Sequence, residues 1–422
     1  MYLLDVLLRI PIHRDLRSYF ARIIVVIPPL KIYELDEADS VMTPALLIYP
    51  ELVDANITAT LKMTGNDPNR WRPHIKTAKI PAVLGQLLAR GVRNFKCSTT
   101  LELLTACQAG AIDVLLAFPV MGANARRARE IAEQFPATQV SVLIESPEQA
   151  EVWRGTKVGI FIDVNSGMNR TGASQDDVMN IVKLARAAGA AFRGIHYYDG
   201  HVAGFPPADR EACTHAGYAR LGDLVEQLTV KHLSVDEVIT SGTPAAPFAA
   251  SYKGFQGAAF VHRISPGTVV YNDLTSLEQL SGYGYQPAAL VLATVVSHPT
   301  ALSITCDAGH KSVSVDAGVP TCAVIGWPNL KPSKPSEEHL PIESTSDAGL
   351  PALGTRLYLL PRHVCPTVNN FDQALMVVNG EVRSIEPVSA RGHEGPFAPG
   401  REGPFARLTR ARPVHKAHTY DG

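Results

Sequence analysis

The 422-residue chain sets 39 Lys and Arg against 40 Asp and Glu, a formal charge of −1, and 46% of its residues are hydrophobic. That balance leaves no electrostatic footprint for nucleic acid or an anionic membrane, and no apolar run approaches the ~20 residues that span a bilayer. Its six cysteines are scattered through a chain longer than most single domains, which suits a reducing, cytoplasmic setting and excludes a disulfide framework.

In chain order, residues 1–31 begin "MYLLDVLLRIPIHRD". They lack the basic start and small-residue cleavage site of a signal peptide and read as an N-terminal extension or an extra helix. Short β-branched or apolar runs then recur: "RPHIKT", "NFKCST", "DVLLAF", "VSVLIES", "GIFIDV", "RGIHYY", "EVITSG" and "VHRISPGT". Most are separated by segments with helical apolar spacing, such as "DDVMNIVKLARAAGA" and "GYARLGDLVEQL". Eight such βα units predict a (β/α)8 TIM barrel over roughly 60–270, an α/β fold. An open doubly wound sheet is the competing architecture. From about Arg391 the chain is rich in Pro, Gly and Arg and repeats "EGPFA", the composition of a disordered tail.

Chemistry in such a barrel gathers where the strands end. The first run carries Lys76, the fifth leads to Asp163 and Arg170, and the sixth ends with Tyr198 and His201. The seventh ends in Ser241, Gly242 and Thr243, and the eighth in Gly267 and Thr268. Glycines and small hydroxyls after strands seven and eight suit a phosphate, although each alone is ordinary turn composition. A lysine facing a phosphate cradle points to pyridoxal phosphate held as a Schiff base. Without that cradle, the same lysine reads as a strand end reaching solvent.

These residues carry a resemblance. "RPHIKTAK", preceded by "TPALLIYPELVDANI", resembles the cofactor-lysine region of fold-type III pyridoxal phosphate enzymes of the D-serine dehydratase and D-threonine aldolase family. "DVNSGMNRTG" is similar to a stretch shared with alanine racemases, with extra residues between Asp163 and Gly167. "SGTP" and "SPGT" resemble the phosphate turns, and "DAGHKSVSVD" and "PRHVCPTVN" the C-terminal domain. The resemblance implies that Lys76 binds the cofactor covalently and moves the proton at the substrate α-carbon. It implies that Arg170 faces the phenolic oxygen and Tyr198 the pyridine ring, and that Ser241, Gly242, Thr243, Gly267 and Thr268 hold the phosphate. His201 is the candidate second acid–base group, with a structural histidine as the alternative. Val269 stands where an aromatic residue is usual, and Tyr271 is the candidate substitute.

By the same resemblance the domains run as follows. Segment 32–46 joins a C-terminal β-rich domain, the barrel spans 47–274, the β-rich domain spans 275–388, and 389–422 is the tail. The assembly is expected to be a homodimer.

His363 and Cys365 sit two apart, so on a strand they would project to one face and reach a single ion. Imidazole with thiolate suits Zn2+, with Mn2+ or Mg2+ as the other divalent candidates. A cation there would act on a β-hydroxyl. The expectation is a lyase for D-β-hydroxy amino acids. α,β-Elimination of the D-serine dehydratase type, giving a 2-oxo acid and ammonia, leads. Retro-aldol cleavage of the D-threonine aldolase type, giving glycine and an aldehyde, is the alternative. An amino-acid racemase, which needs no such metal, and a non-catalytic pyridoxal phosphate carrier are the further alternatives.

Overall fold

A computed structural model describes residues 28–346 and 349–396. The sequence expectations for residues 1–27 and 397–422 lie outside the described residues.

Parallel strands Asn94–Cys97, Asp113–Leu116, Gln139–Ile144, Gly159–Asn165, Phe192–Tyr197, Glu237–Thr240 and Val261–Ile264 pair in sequence order. The ring closes through residues 71–75, as Arg72 N donates to Ile264 O at 2.9 Å and Ile75 N to Lys96 O at 2.8 Å. The first expected strand is therefore not a regular one. Pro73 has no N–H to give to a ladder, and the chain turns over 75–78, so Lys76 sits in the turn rather than on a strand. The other seven expected runs each contain a barrel strand. Several of the outer helices start where their sequences dictate. Thr99 and Asp177 accept backbone N–H groups of Glu102 and Asn180, and Pro50, Pro81 and Pro147 occupy first-turn positions.

Alternation along the strands sends every second side chain inward. At the N-terminal end the inward layer is ionic. Arg72, fully buried, makes a two-pronged contact with Glu237 at 2.8 and 2.9 Å and reaches Asp113 at 2.9 Å. Arg193 contacts Asp113 at 2.8 Å, and Arg263 pairs with Glu237. Buried charges are tolerable only when paired in this way. Above them lies an apolar layer of Leu115, Leu143, Phe161 and Ile239. Above that, at the C-terminal mouth, polar groups return: His74, Lys96, Asp163 and His196.

The second unit is a nine-stranded sheet among the described residues. The strand Ala45–Ile48 pairs antiparallel with Ala289–Thr300 and parallel with Gln373–Val378, so chain before the barrel is built into this sheet. Residues 389–396, which composition assigns to the tail, pack on the barrel. Ala390 is fully buried and its carbonyl accepts from Lys79 Nζ at 2.9 Å, and Glu394 pairs with Arg127 at 2.8 Å.

Candidate active site

A cavity of about 280 Å3 opens where the barrel strands end and meets the second domain. Lys76, Tyr198, Gly242, Thr243, Gly267 and Thr268 line it from the barrel. His363 and Cys365 line it from the other unit. One space thus gathers these eight residues from five separate stretches of sequence.

The glycine turns are shaped by close approach. A Cβ on Gly267 would lie 2.3 Å from His74 O, and one on Gly242 would lie 2.8 Å from the Tyr198 ring. Ser241 has φ of 62°, a left-handed conformation rare for a side-chain-bearing residue. It is fully buried, and its Oγ takes a hydrogen bond from Ser265 N rather than lining the cavity. The buried Asp199 accepts from Tyr218 Oη at 2.6 Å, and burial pushes its carboxyl up to about 6.

His363 and Cys365 do not lie on a strand. The strand stops at Pro361, and His363 caps the short helix Val364–Val368. Asp273, the cap of the helix Leu274–Gln279, also accepts Val364 N at 3.0 Å. Thr275 Oγ1 donates to Arg362 O at 2.8 Å. The end of the barrel therefore fixes the His-x-Cys turn over the cavity. His363 Nδ1 donates to Asp316 Oδ2 at 2.5 Å, which orients the ring. Burial pushes the Cys365 thiol up, but the hydrogen bond and charge of His363 outweigh burial and hold it below its ordinary value. Burial lowers His363, yet Cys365 and Asp316 raise it to about 9. Thr77 Oγ1 lies 3.0 Å from Cys365 Sγ.

Besides Ser241, two expected residues stand apart. Arg170 is not on the cavity wall, and its guanidinium lies 5.0 Å from the Tyr198 ring centroid. His201 is also off the wall, packed edge-on to Phe205 at 5.6 Å and against Gly167. Its Nδ1 is buried without a partner among the described residues.

The sequence reading missed Lys96. It is 2% exposed, lines the cavity, and approaches the Tyr198 ring at 5.5 Å. Burial, with Lys76 nearby, lowers it to about 7. Its signal in the sequence was an isolated basic residue inside an otherwise apolar run, "NFKC". Asp273 was also missed, because a helix-capping aspartate looks the same whether or not it carries a second loop.

The residues suit pyridoxal phosphate on structural grounds. An exposed lysine at the mouth faces two glycine turns where a Cβ would crowd the Tyr198 ring or the His74 carbonyl, threonine hydroxyls and an aromatic ring. Among the described residues no three of His, Cys, Asp and Glu come together as a closed metal cage. His363 and Cys365 put an imidazole and a thiol on one cavity wall, a donor set whose chemistry fits a divalent cation.

Barrel, β-rich second sheet and mouth define an α/β-barrel enzyme class. The chain belongs to the family of the alanine racemase N-terminal domain, which matches residues 49–274, within the fold-type III pyridoxal phosphate class, and a putative serine dehydratase domain matches residues 288–377. It is 28% identical to a D-threonine aldolase of an Arthrobacter species over 85% of this chain and 94% of that protein. The crystal structure of D-threonine aldolase from Filomicrobium marinum superimposes with a TM-score of 0.75 at 26% identity, covering 85% of this chain and 98% of that one. D-threo-3-hydroxyaspartate dehydratase of Delftia sp. HT23 is 25% identical over 82% of this chain and 96% of its own length. Its structure has a TM-score of 0.73 and covers 86% of this chain and 100% of that one. Variants of that dehydratase with a histidine or, two positions on, a cysteine changed to alanine have also been solved, the cysteine variant in a metal-free form. Among the described residues no helix is long and apolar enough to cross a membrane.

Proposed function

We propose that the protein is a pyridoxal phosphate- and metal-dependent lyase acting on D-β-hydroxy amino acids, and that it eliminates the β-hydroxyl to give a 2-oxo acid and ammonia. The observation that carries this reading is one cavity faced by Lys76 from the barrel and by His363 and Cys365 from the second domain. When bound, the cofactor withdraws electrons from the substrate α-carbon, and a divalent cation, Zn2+ by its donor set, polarises the β-oxygen.

The chain's own residues do the rest. Thr243, Thr268 and the backbone at Gly242 and Gly267 bind the phosphate oxygens, with Ser241 bracing the first turn. Tyr198 would support the cofactor ring, and Arg170, whose guanidinium lies beside the Tyr198 ring, would serve the phenolic oxygen. The Lys76 amine would take the proton from the substrate α-carbon. His363 and Cys365 hold the cation, and Asp316 keeps the His363 ring aimed. The buried turns exclude water from the phosphate end.

Elimination leads because the His-x-Cys pair has the spacing of the two residues altered in the related dehydratase. Retro-aldol cleavage is the second reading, favoured by the similarity to D-threonine aldolase along 85% of the chain. We further propose a homodimer in the cytoplasm.

Product analysis after incubating D-threonine with enzyme loaded with pyridoxal phosphate and Zn2+ tests the reading. Elimination gives 2-oxobutanoate and ammonia, whereas glycine and acetaldehyde mean retro-aldol cleavage. Epimerised threonine as the sole product contradicts both.

A further inference from the structure

The polar layer at the barrel mouth contains a chain of side chains that the proposed chemistry leaves unused. Lys96 Nζ lies 3.4 Å from His196 Nε2. His196 Nδ1–H donates to Asp163 Oδ1 at 2.7 Å, and Thr171 Oγ1 donates to Asp163 Oδ2, also at 2.7 Å. Asp163 therefore sets the tautomer of His196 and leaves the Nε2 lone pair for the lysine amine. Among the described residues no carboxylate pairs directly with Lys96, although it is 2% exposed. A lysine buried in this way is costly unless it serves a ligand. The end of Lys96 opens into the same cavity as Lys76 and approaches the Tyr198 ring at 5.5 Å.

We propose that Lys96 is a second cofactor-facing amine: a positioning residue, held by His196 and Asp163, whose ammonium sets the charge balance of the bound ring while Lys76 carries the covalent link. This rests on the cofactor reading above. The charged and titratable groups around Lys96 are His74, Lys76 and Arg72 from the closing segment, Asp163 from the fifth strand-like run, and His196 and Asp199 from the sixth. Burial and Lys76 lower Lys96 to about 7, while Asp163 and Asp199 work the other way. A cation beside the ring disfavours a second positive charge on the link to Lys76, so removing it moves that protonation to higher pH.

The test is a spectrophotometric pH titration of the pyridoxal phosphate-loaded protein, comparing wild type with Lys96→Met, Lys96→Gln and Lys96→Arg. The two neutral variants are expected to raise the pH midpoint of the visible cofactor absorbance by about one unit. Lys96→Arg, which keeps the cation, is expected to leave the midpoint at or below that of wild type. Coincident midpoints for wild type and the neutral variants overturn the proposal. So does an upward shift of the same size in Lys96→Arg, which would mark a steric effect. A wild-type chain that takes up no cofactor overturns the underlying reading and this proposal with it.

Discussion

Lys76 is exposed at the barrel mouth, whereas Lys96, on the same cavity wall, is buried. The two amines differ because one follows a turn and the other points inward from a strand. Lys76→Ala is expected to abolish the visible absorbance of the cofactor linkage, and a band that persists unchanged refutes the assignment. Cys365→Ala is expected to keep that band but to lose bound Zn2+, measured by atomic absorption, together with at least about a hundredfold of turnover on β-hydroxy substrates. Unchanged zinc content refutes the metal pair. Lys76 was legible because its neighbours, "RPHIKT", form a local pattern. Lys96 was not, since its partner His196 lies a hundred residues away and only barrel closure brings them together.

At the scale of elements, two structural reasons moved what sequence suggested. Pro73 leaves the closing segment with bridges in place of a regular ladder. Pro366 sits within the first turn of Val364–Val368, where a missing N–H costs nothing, so a stretch that reads as a strand end starts a helix. His363 and Cys365 reach the same cavity all the same, because Asp273 and Thr275 tie that helix to the barrel. The turns proposed to hold the phosphate were legible as glycine–hydroxyl pairs, but the reason for the glycines is three-dimensional. Gly267→Ala would push a Cβ to 2.3 Å from His74 O, so the main chain must shift. The expected result is cofactor affinity weakened by roughly tenfold or more, about 1.4 kcal/mol, in a fluorescence titration. Affinity equal to that of wild type would remove the turn from the phosphate site.

At the scale of the whole molecule, the fold class followed from counting strand-like runs, whereas the sorting of polar and apolar layers inside the barrel did not. Arg72, Asp113, Arg193, Glu237 and Arg263 are spread over five of the closing and parallel segments. Nothing local marks them as one network. The barrel also buries histidines in neutral form, and burial lowers His262 from 6.5 to about 3. The unfolded chain therefore binds more protons than the folded one between these values, and stability falls as pH drops through that window. Asp113 acts in the same direction: burial opposes its charge, but Arg72 and Arg193 hold its carboxyl well below the usual range, so its contribution is lost in acid. Thermal melts of the cofactor-free protein are expected to show a lower Tm at pH 4 than at pH 7. His262→Gln is expected to flatten part of that slope, and an unchanged slope would contradict the assignment.

The central claim joins a barrel lysine to a cation held by the second domain, and chelation separates the two most directly. Turnover of D-threonine by the fully loaded enzyme is measured before chelation, after removal of metal, and after Zn2+ is returned, with D-alanine as the parallel substrate. The account predicts that D-threonine turnover is lost on chelation and regained with Zn2+, while the cofactor band persists throughout and D-alanine is left unracemised. Turnover that is indifferent to chelation, or racemisation of D-alanine by the metal-free enzyme, would contradict it.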